Sequence, residues 1–399
     1  MFIRKRILRV ARFVTAVSVV ASLVALLTSG GCGKGIFPEV TPTAVTITPT
    51  PVANAFLYAT NFTDGTVSAF SRNTNTGALS FISKTTAGSS GGPEGIAVSN
   101  NTFVYVANAS DGRVYPFQIV QSGSGTPGNL TPLTSIVSGV TAQMVAVDTT
   151  HSFVYVTNAG SKTVSEYSIN SDGTLTSIGF VTGLFGGQPF GITVNPQGGF
   201  LYVADSTAGL LYSFAIASNG VLTQVGHAIN SNGSAPGQPG LMAIVFDGSQ
   251  GYLFVDDMAF GVVSTFLIQT DGTLGYSNSV GQNQSTPIGI GAFNSAGGTS
   301  INYVFTANAD GNFVQPFTRV STTLTQGTAI ADSINPTGLT IDSAGLFVYT
   351  GNSGNGTIAQ IGITNSQCSG SGTCLIATYN SESPANRNAG TQFLATTTP

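Results

Sequence analysis

Phe153-Val154-Tyr155-Val156-Thr157-Asn158 decides how this chain is read, because it returns again and again. It stands earlier as Phe56-Leu57-Tyr58-Ala59-Thr60-Asn61 and Phe103-Val104-Tyr105-Val106-Ala107-Asn108. Later copies are Leu201-Tyr202-Val203-Ala204-Asp205, Leu253-Phe254-Val255-Asp256-Asp257, Val304-Phe305-Thr306-Ala307-Asn308 and Val348-Tyr349-Thr350-Gly351-Asn352. The closing Asn or Asp positions are spaced by 47, 50, 47, 52, 51 and 44 residues. A period of roughly fifty residues signals one supersecondary unit repeated seven times.

Each copy carries the same internal plan. A Gly-containing turn follows the Asn and leads into an alternating strand, such as Thr163-Val164-Ser165-Glu166-Tyr167-Ser168-Ile169. A Gly-x-Leu turn then opens another strand at Gly77-Ala78-Leu79, Gly173-Thr174-Leu175, Gly220-Val221-Leu222 and Gly272-Thr273-Leu274. A Gly/Pro turn and a short apolar strand come next, as in Pro189-Phe190-Gly191-Ile192-Thr193-Val194. That gives four short strands per repeat joined by hairpin-length loops. Four-stranded units repeated radially build an all-β, seven-bladed β-propeller of antiparallel blades.

Composition points the same way. Only 7% of the 399 residues are charged, while 51 are Gly and 41% are hydrophobic. Long amphipathic helices need Glu, Lys and Arg on the wet face, and these are scarce. Ser, Thr, Asn and Gly supply the polar surface instead, which suits strands and tight turns. No basic patch suits nucleic acid, since the formal net charge is already −4.

The N-terminus reads as an export signal. Arg4, Lys5, Arg6, Arg9 and Arg12 precede an apolar run from Phe13 to Leu27. That run is short for a membrane span, which needs ~20 residues, and fits a secretory core. It ends in Thr28-Ser29-Gly30-Gly31-Cys32-Gly33, which resembles a bacterial lipobox with Cys32 as the lipidated residue; Ser29 departs from the usual Leu or Val. A simple cleaved signal and an uncleaved anchor are the alternatives. The expected order is a signal peptide over 1–31, a lipidated Cys and Pro/Thr-rich spacer over 32–41, the propeller over 42–380 and a polar tail over 381–399. Cleavage leaves seven basic and sixteen acidic residues, a formal charge of −9. Such a chain meets an anionic membrane through its lipid alone. The expected location is the bacterial envelope, periplasmic or at the surface, and a monomer is expected. Export also supplies an oxidising compartment, so Cys368 and Cys374 are expected to form a disulfide.

Ring closure is left open by the sequence. Pro42-Thr43-Ala44-Val45-Thr46-Ile47 matches Pro336-Thr337-Gly338-Leu339-Thr340-Ile341 and would serve as the first inner strand. Thr391-Gln392-Phe393-Leu394-Ala395 in the tail would close the ring equally well.

The Tyr-Val-x-Asn signature resembles the YVTN propeller repeat of bacterial surface proteins. Together with Gly-x-Leu and Pro-x-Gly-Ile it resembles the lactonase-type propeller family, which includes a 6-phosphogluconolactonase and muconate-lactonising enzymes. The resemblance covers about residues 42–380.

Topology predicts which residues share a rim. Strands alternate in direction, so the start of each inner strand meets the end of each second strand. That rim, where propellers usually carry ligand sites, should hold Asn61, Asn108, Asn158, Asp205, Asp257, Asn308 and Asn352. Thr43, Glu94, Gln143, Phe190, Met242, Ile288 and Thr337 should join them. Asn and Asp also cap turns through their own backbone, a purely structural alternative for the ring. Phe185 and Phe190 would offer an apolar lip for a glycan or peptide, or pack between blades.

Lactone hydrolysis needs a base, an activated water and a charge for the oxyanion. The resemblance implies a His in the Pro-x-Gly region with Arg and Glu around the channel. Here those slots hold no His, and His151 and His227 fall elsewhere. The catalytic candidates are Glu94, Asp205 and Asp257, with Arg113 as the cation. No cofactor is expected; a Ca²⁺ on the axis would draw on Glu94, Asn158, Asp205 and Asp257, since Ca²⁺ takes oxygen ligands. The sequence therefore argues for an envelope-displayed body that binds a protein, peptide or glycan, with a lactonase as the alternative.

Overall fold

The structure, a computed structural model, describes residues 55–88, 91–150, 152–233, 235–247, 250–282, 286–294, 302–332, 334–363, 373–381 and 391–398. The chain divides into two compact units, Met1–Thr50 and Pro51–Pro399, and the first lies outside the described residues. So do Cys32, the strand expected over 42–47, His151 and Cys368.

The second unit is a ring of seven antiparallel sheets. From inner to outer strand, blade 1 is Thr391–Thr396, Ala55–Asn61, Thr66–Arg72 and Leu79–Thr86. Blade 2 is Pro93–Ser99, Phe103–Asn108, Arg113–Ile119 and Leu130–Pro132 with Ile136–Val137. Blade 3 is Ala142–Asp148, Phe153–Asn158, Thr163–Ile169 and Leu175–Val181. Blade 4 is Pro189–Val194, Phe200–Asp205, Leu210–Ile216 and Leu222–Asn230. Blade 5 is Pro239–Asp247, Gln250–Asp257, Val262–Ile268 and Leu274–Gly281. Blade 6 is Pro287–Asn294, Asn302–Asn308, Phe313–Val320 and Thr323–Gln326 with Ile330–Ala331. Blade 7 is Pro336–Ile341, Phe347–Asn352, Thr357–Gly362 and Cys374–Asn380.

Closure is thus made by the C-terminal strand. Thr391–Thr396 pairs with Ala55–Asn61, so the first and last segments of the ring share one blade. The 7–1 junction is held further by a buried ion pair, Arg72 to Asp342 at 3.0 Å, and by Gln360 donating to the Thr76 carbonyl at 2.7 Å.

The apolar core consists of wedges between blades. Leu57, Phe70, Phe347 and Tyr349 fill the 7–1 junction, and comparable clusters fill the other six. A second strand is flanked by a blade on each face, which is why Phe153–Asn158 is buried along its whole length. The outer strands are mostly half-buried or exposed instead, as in Leu175–Val181, where only Leu175 is buried.

Two repeated sequence signatures turn out to be each other's partners across these junctions. The Tyr of the second strand donates its hydroxyl to the Gly carbonyl of the next blade's Gly-x-Leu turn. The bonds are Tyr58 to Gly128 (3.0 Å), Tyr105 to Gly173 (3.1 Å), Tyr155 to Gly220 (2.9 Å) and Tyr349 to Gly77 (2.6 Å). The aromatic two residues earlier lies on the same Gly. At Gly173, a Cβ would sit 2.2 Å from the Phe103 ring, and φ is +84°. Both facts demand glycine there. Tyr202 keeps the pattern in part: Phe200 packs on Gly272, but its hydroxyl has no partner among the described residues.

Blades 2 and 6 depart from four plain strands, for a reason written in the sequence. Their third strands carry Pro116 and Pro316, which have no N–H to donate to an outer strand. The outer strand breaks at that point into two pieces, on either side of Leu133 N to Pro116 O and Gly327 N to Pro316 O. In blades 1, 3, 4, 5 and 7 the same place holds only a bulge.

Tyr155→Phe removes one buried hydrogen bond and leaves the Gly220 carbonyl unpaired, so it should lower stability by about 1–2 kcal/mol in urea unfolding. Gly173→Ala should cost more than Tyr155→Phe in the same measurement, because it adds a left-handed strain to a clash.

Candidate functional site

The register brings the expected residues to one rim. Pro93 pairs with Asn108, Ala142 with Asn158, Pro189 with Asp205 and Pro239 with Asp257. Pro287 pairs with Asn308, Pro336 with Asn352 and, in blade 1, Thr391 with Asn61. A bulge follows each of these pairs on the inner strand, or precedes it on the second, in all seven blades.

The Asn/Asp ring faces the loops rather than solvent. All seven side chains are fully buried. Asn108 donates to the carbonyls of Ala87 (2.7 Å) and Gly91 (3.0 Å) and accepts from the amides of Ser110 and Asp111. Asp205 accepts from the amides of Gly187 (2.8 Å), Thr207 and Ala208. Asp257 accepts from Ser231 Oγ (2.8 Å) and the amides of Gln238, Ala259 and Phe260. Asn61 and Asn158 donate to Ser68 and Ser165 on the third strand, Asn352 to Asp332, and Asn308 to Thr306. Asn108, Asp205, Asp257 and Asn352 bond the loop arriving from the preceding blade, Asn61 and Asn158 a neighbouring strand, and Asn308 its own strand. Ligand contact through these side chains would require breaking those bonds.

Of the four oxygen donors considered for Ca²⁺, Glu94 stands at the start of the inner strand of blade 2. Asn158, Asp205 and Asp257 belong to three blades, and each is consumed by its own loop. Among the described residues no group of three or more His, Cys, Asp or Glu side chains is placed to hold a metal ion.

Arg113 is also committed. It starts the third strand of blade 2 opposite Asn108, and its guanidinium donates to Ser135 Oγ (3.0 Å) and the Ser135 carbonyl (2.9 Å). It therefore faces the outer strand, away from the inner strands. Phe190 is half-buried and Phe185 is buried against Tyr212, with ring centroids 4.9 Å apart. Met242 does not occupy the slot expected for it. Pro239 pairs with Asp257 and Met242 with Val255, so Gly240 stands in the slot and Met242 packs between blades 4 and 5. The missing Gly after Pro-x in that repeat shifts a sequence alignment by two positions.

The slot after Pro therefore reads Glu94, Gln143, Phe190, Gly240, Ile288 and Thr337 around the described part of the inner ring. Glu94 is half-buried, and burial pushes its carboxyl up to about 7. Deeper along the axis, Phe393 of blade 1 belongs to the same apolar cluster as Met144 and Ile192 of blades 3 and 4. Ile96 of blade 2 packs against the same cluster and links blades 1 and 3 along the inner strands.

Beside the Asn/Asp ring lies a second position that the sequence reading passed over. Thr157 Oγ accepts from Met144 N (3.1 Å) and donates to the carbonyl of Phe190 in the next blade (2.7 Å). Thr60 does the same with Phe393 N (3.0 Å) and the Glu94 carbonyl (2.9 Å). One hydroxyl thereby fastens two inner strands. In blade 5 this position is Asp256, which is fully buried. Burial first, then the charge of Asp257, raises its carboxyl well above the ordinary range, against the pull of the Gly240 and Leu241 amides. A protonated carboxyl can accept and donate as the Thr hydroxyl does; a carboxylate can only accept.

With the geometry in place, comparison with known proteins is informative. Residues 124–291, from the outer part of blade 2 into the inner strand of blade 6, match the family described as lactonase, 7-bladed beta-propeller. Over these residues the chain resembles the lactonase-type propellers, and the ring itself has seven blades. A 6-phosphogluconolactonase candidate from Bacteroides fragilis superposes on the ring with a TM-score of 0.70 at 17% identity, covering 88% of this chain and 99% of that one. The periplasmic gluconolactonase of Pseudomonas aeruginosa gives 0.67 at 15% identity, covering 87% and 99%. A protein from Lactobacillus plantarum gives 0.68 at 17% identity, covering 86% and 99%. At such identities the likeness speaks for the fold. No curated protein sequence matches the chain.

The raised carboxyl of Asp256 has a definite sign. Its folded-state pKa lies above the unfolded value, so its contribution is present at low pH and is lost as pH rises toward the folded pKa. Asp256→Thr should therefore gain stability relative to the natural chain as pH rises from 4 to 8, measured by urea unfolding across that range. Glu94 acts in the same direction between its ordinary value of 4.5 and about 7. Carboxyl NMR should place its titration near neutrality.

Proposed function

We propose that this lactonase-type propeller is a binding or scaffold body displayed on the bacterial envelope through a lipid on Cys32, with a protein, peptide or glycan as its ligand. The observation that carries this reading is the commitment of three of the rim's charged groups to the scaffold. Asp205 and Asp257 accept loop amides, and Arg113 is held by Ser135. A hydrolase would need those charges free to meet a substrate. The surface remaining at the inner rim is largely uncharged and suits recognition by shape and hydrogen bonds. A disulfide between Cys368 and Cys374 would fasten the segment leading into the last outer strand, on whose first residue Cys374 lies.

Glu94 supports a second reading. A carboxyl titrating at about 7 is poised to act as a general base near neutral pH. A lactonase using Glu94 would take its proton from a water at the inner rim.

The two readings separate on a panel of sugar lactones, assayed with and without Ca²⁺. The binding body should show no hydrolysis above the background of Glu94→Gln. Turnover by the natural chain that disappears in Glu94→Gln would replace it by the lactonase. The anchor is tested separately: Cys32→Ser should move the protein from the membrane fraction to the soluble one and abolish labelling by radioactive fatty acid.

A further inference from the structure

A cavity of about 370 Å³ opens on the same rim between blades 2 and 3. It lies at the small end of ligand pockets, which run from ~300 to 1,000 Å³. One wall is the turn Ala109–Gly112, another is Val137 to Thr141, and Ser161 completes it. The two loops touch through backbone: the Ser138 amide donates to the Gly112 carbonyl at 2.8 Å, and a Cβ on Gly112 would sit 2.5 Å from the Gly139 carbonyl oxygen. Glycine at Gly112 keeps this approach open. Ser161 Oγ, accepting from the Val140 amide at 2.6 Å, holds the far side in place.

Three features of this cavity point to one kind of occupant. Val137 and Val140 are 64% and 67% exposed, unusual for valines in a chain whose other valines are mostly buried, so they present bare methyl groups. Asp111 supplies a carboxylate fixed from two sides: Tyr115 donates its hydroxyl to one oxygen and the Arg113 amide donates to the other at 3.2 Å. The nearby cations are turned elsewhere. Arg113 bonds Ser135, and Lys162 donates to the Gly186 carbonyl at 3.0 Å. Asp64 on the neighbouring blade is paired with Lys84 at 2.6 Å, whereas Asp111 forms no ion pair among the described residues.

We propose that this cavity receives an Arg or Lys side chain of a partner protein or peptide. Its aliphatic stem lies on Val137 and Val140, and its cationic head meets Asp111. The proposal rests on the binding-body reading and names the chemistry of its partner. Charge complementarity favours it beyond the single pair, because the chain without its basic leader carries −9. A carboxylate already oriented by Tyr115 loses little freedom on pairing, which strengthens a weak contact.

The test uses acetyl-arginine amide and acetyl-lysine amide as probes, with acetyl-citrulline amide as the uncharged control, titrated into the purified full chain and followed by amide shifts in NMR. Saturable shifts at Ser110, Asp111, Val140 and Ser161 are expected for the cations, at least tenfold weaker for citrulline. Asp111→Asn should weaken the cations by at least tenfold and leave citrulline unchanged; it keeps one acceptor oxygen, for Tyr115 or the Arg113 amide, and unfolding by urea verifies the fold. Val140→Ser should weaken all three probes. Absence of saturable binding by either cation, unchanged affinity in Asp111→Asn, or saturation of the same amides by neutral monosaccharides instead would overturn the proposal. Failure here with lactone hydrolysis still absent removes the cation pocket only, whereas Glu94-dependent hydrolysis removes the binding-body reading itself.

Discussion

The hydrogen bond from a second-strand Tyr to the Gly carbonyl of the next blade sets four of the seven junctions on which the ring depends. Each blade buries one apolar face against each neighbour, and apolar contact alone has no direction. The phenol adds direction: it fixes how far one blade is turned against the next, because its hydroxyl must reach one carbonyl at the far rim. Leaving that hydroxyl dry and unpaired would be costly, and burial correspondingly pushes the ionisation of Tyr105 and Tyr155 well upward. The Phe two residues earlier lies on the same glycine and shuts water out of the bond.

At the opposite rim the same logic uses Asn and Asp. A turn leaving the second strand and a loop arriving from the preceding blade both expose backbone groups there. The Asn/Asp side chain, with acceptors and, in Asn, donors at one point, satisfies several of them together. Blades with Asp only accept, as Asp205 and Asp257 do, whereas Asn108 also donates to carbonyls. The consequence for function is direct. The residues most conspicuous in the repeat are buried and bonded to the scaffold, so the proposed recognition would fall to positions that vary between blades, such as Glu94 at the inner strand and Asp111 with Val140 in the loops.

Variation between repeats also explains the irregular parts. Pro116 and Pro316 split an outer strand where other blades carry a bulge. Asp256 replaces a Thr that fastens two inner strands in blades 1 and 3, and burial raises its carboxyl well above the ordinary range. A repeat that tolerates such changes has six other junctions to keep the ring closed.

The sequence by itself determined the fold class, the number of blades, the four-strand plan and the rim shared by Pro and Asn, because spacing and alternation are local properties of a chain. It also held, in Pro116 and Pro316, the cause of two broken strands. Only the tertiary structure decided which strand closes the ring, since Thr391–Thr396 and the segment near Thr43 carry equivalent patterns and only pairing with Ala55–Asn61 distinguishes a winner. It likewise decided that the Asn/Asp ring is buried, that Tyr and Gly-x-Leu are partners one blade apart, and that Asp111 and Val140 share a cavity. These facts depend on which side chains meet across blades some fifty residues apart, and no repeat read singly contains its neighbour.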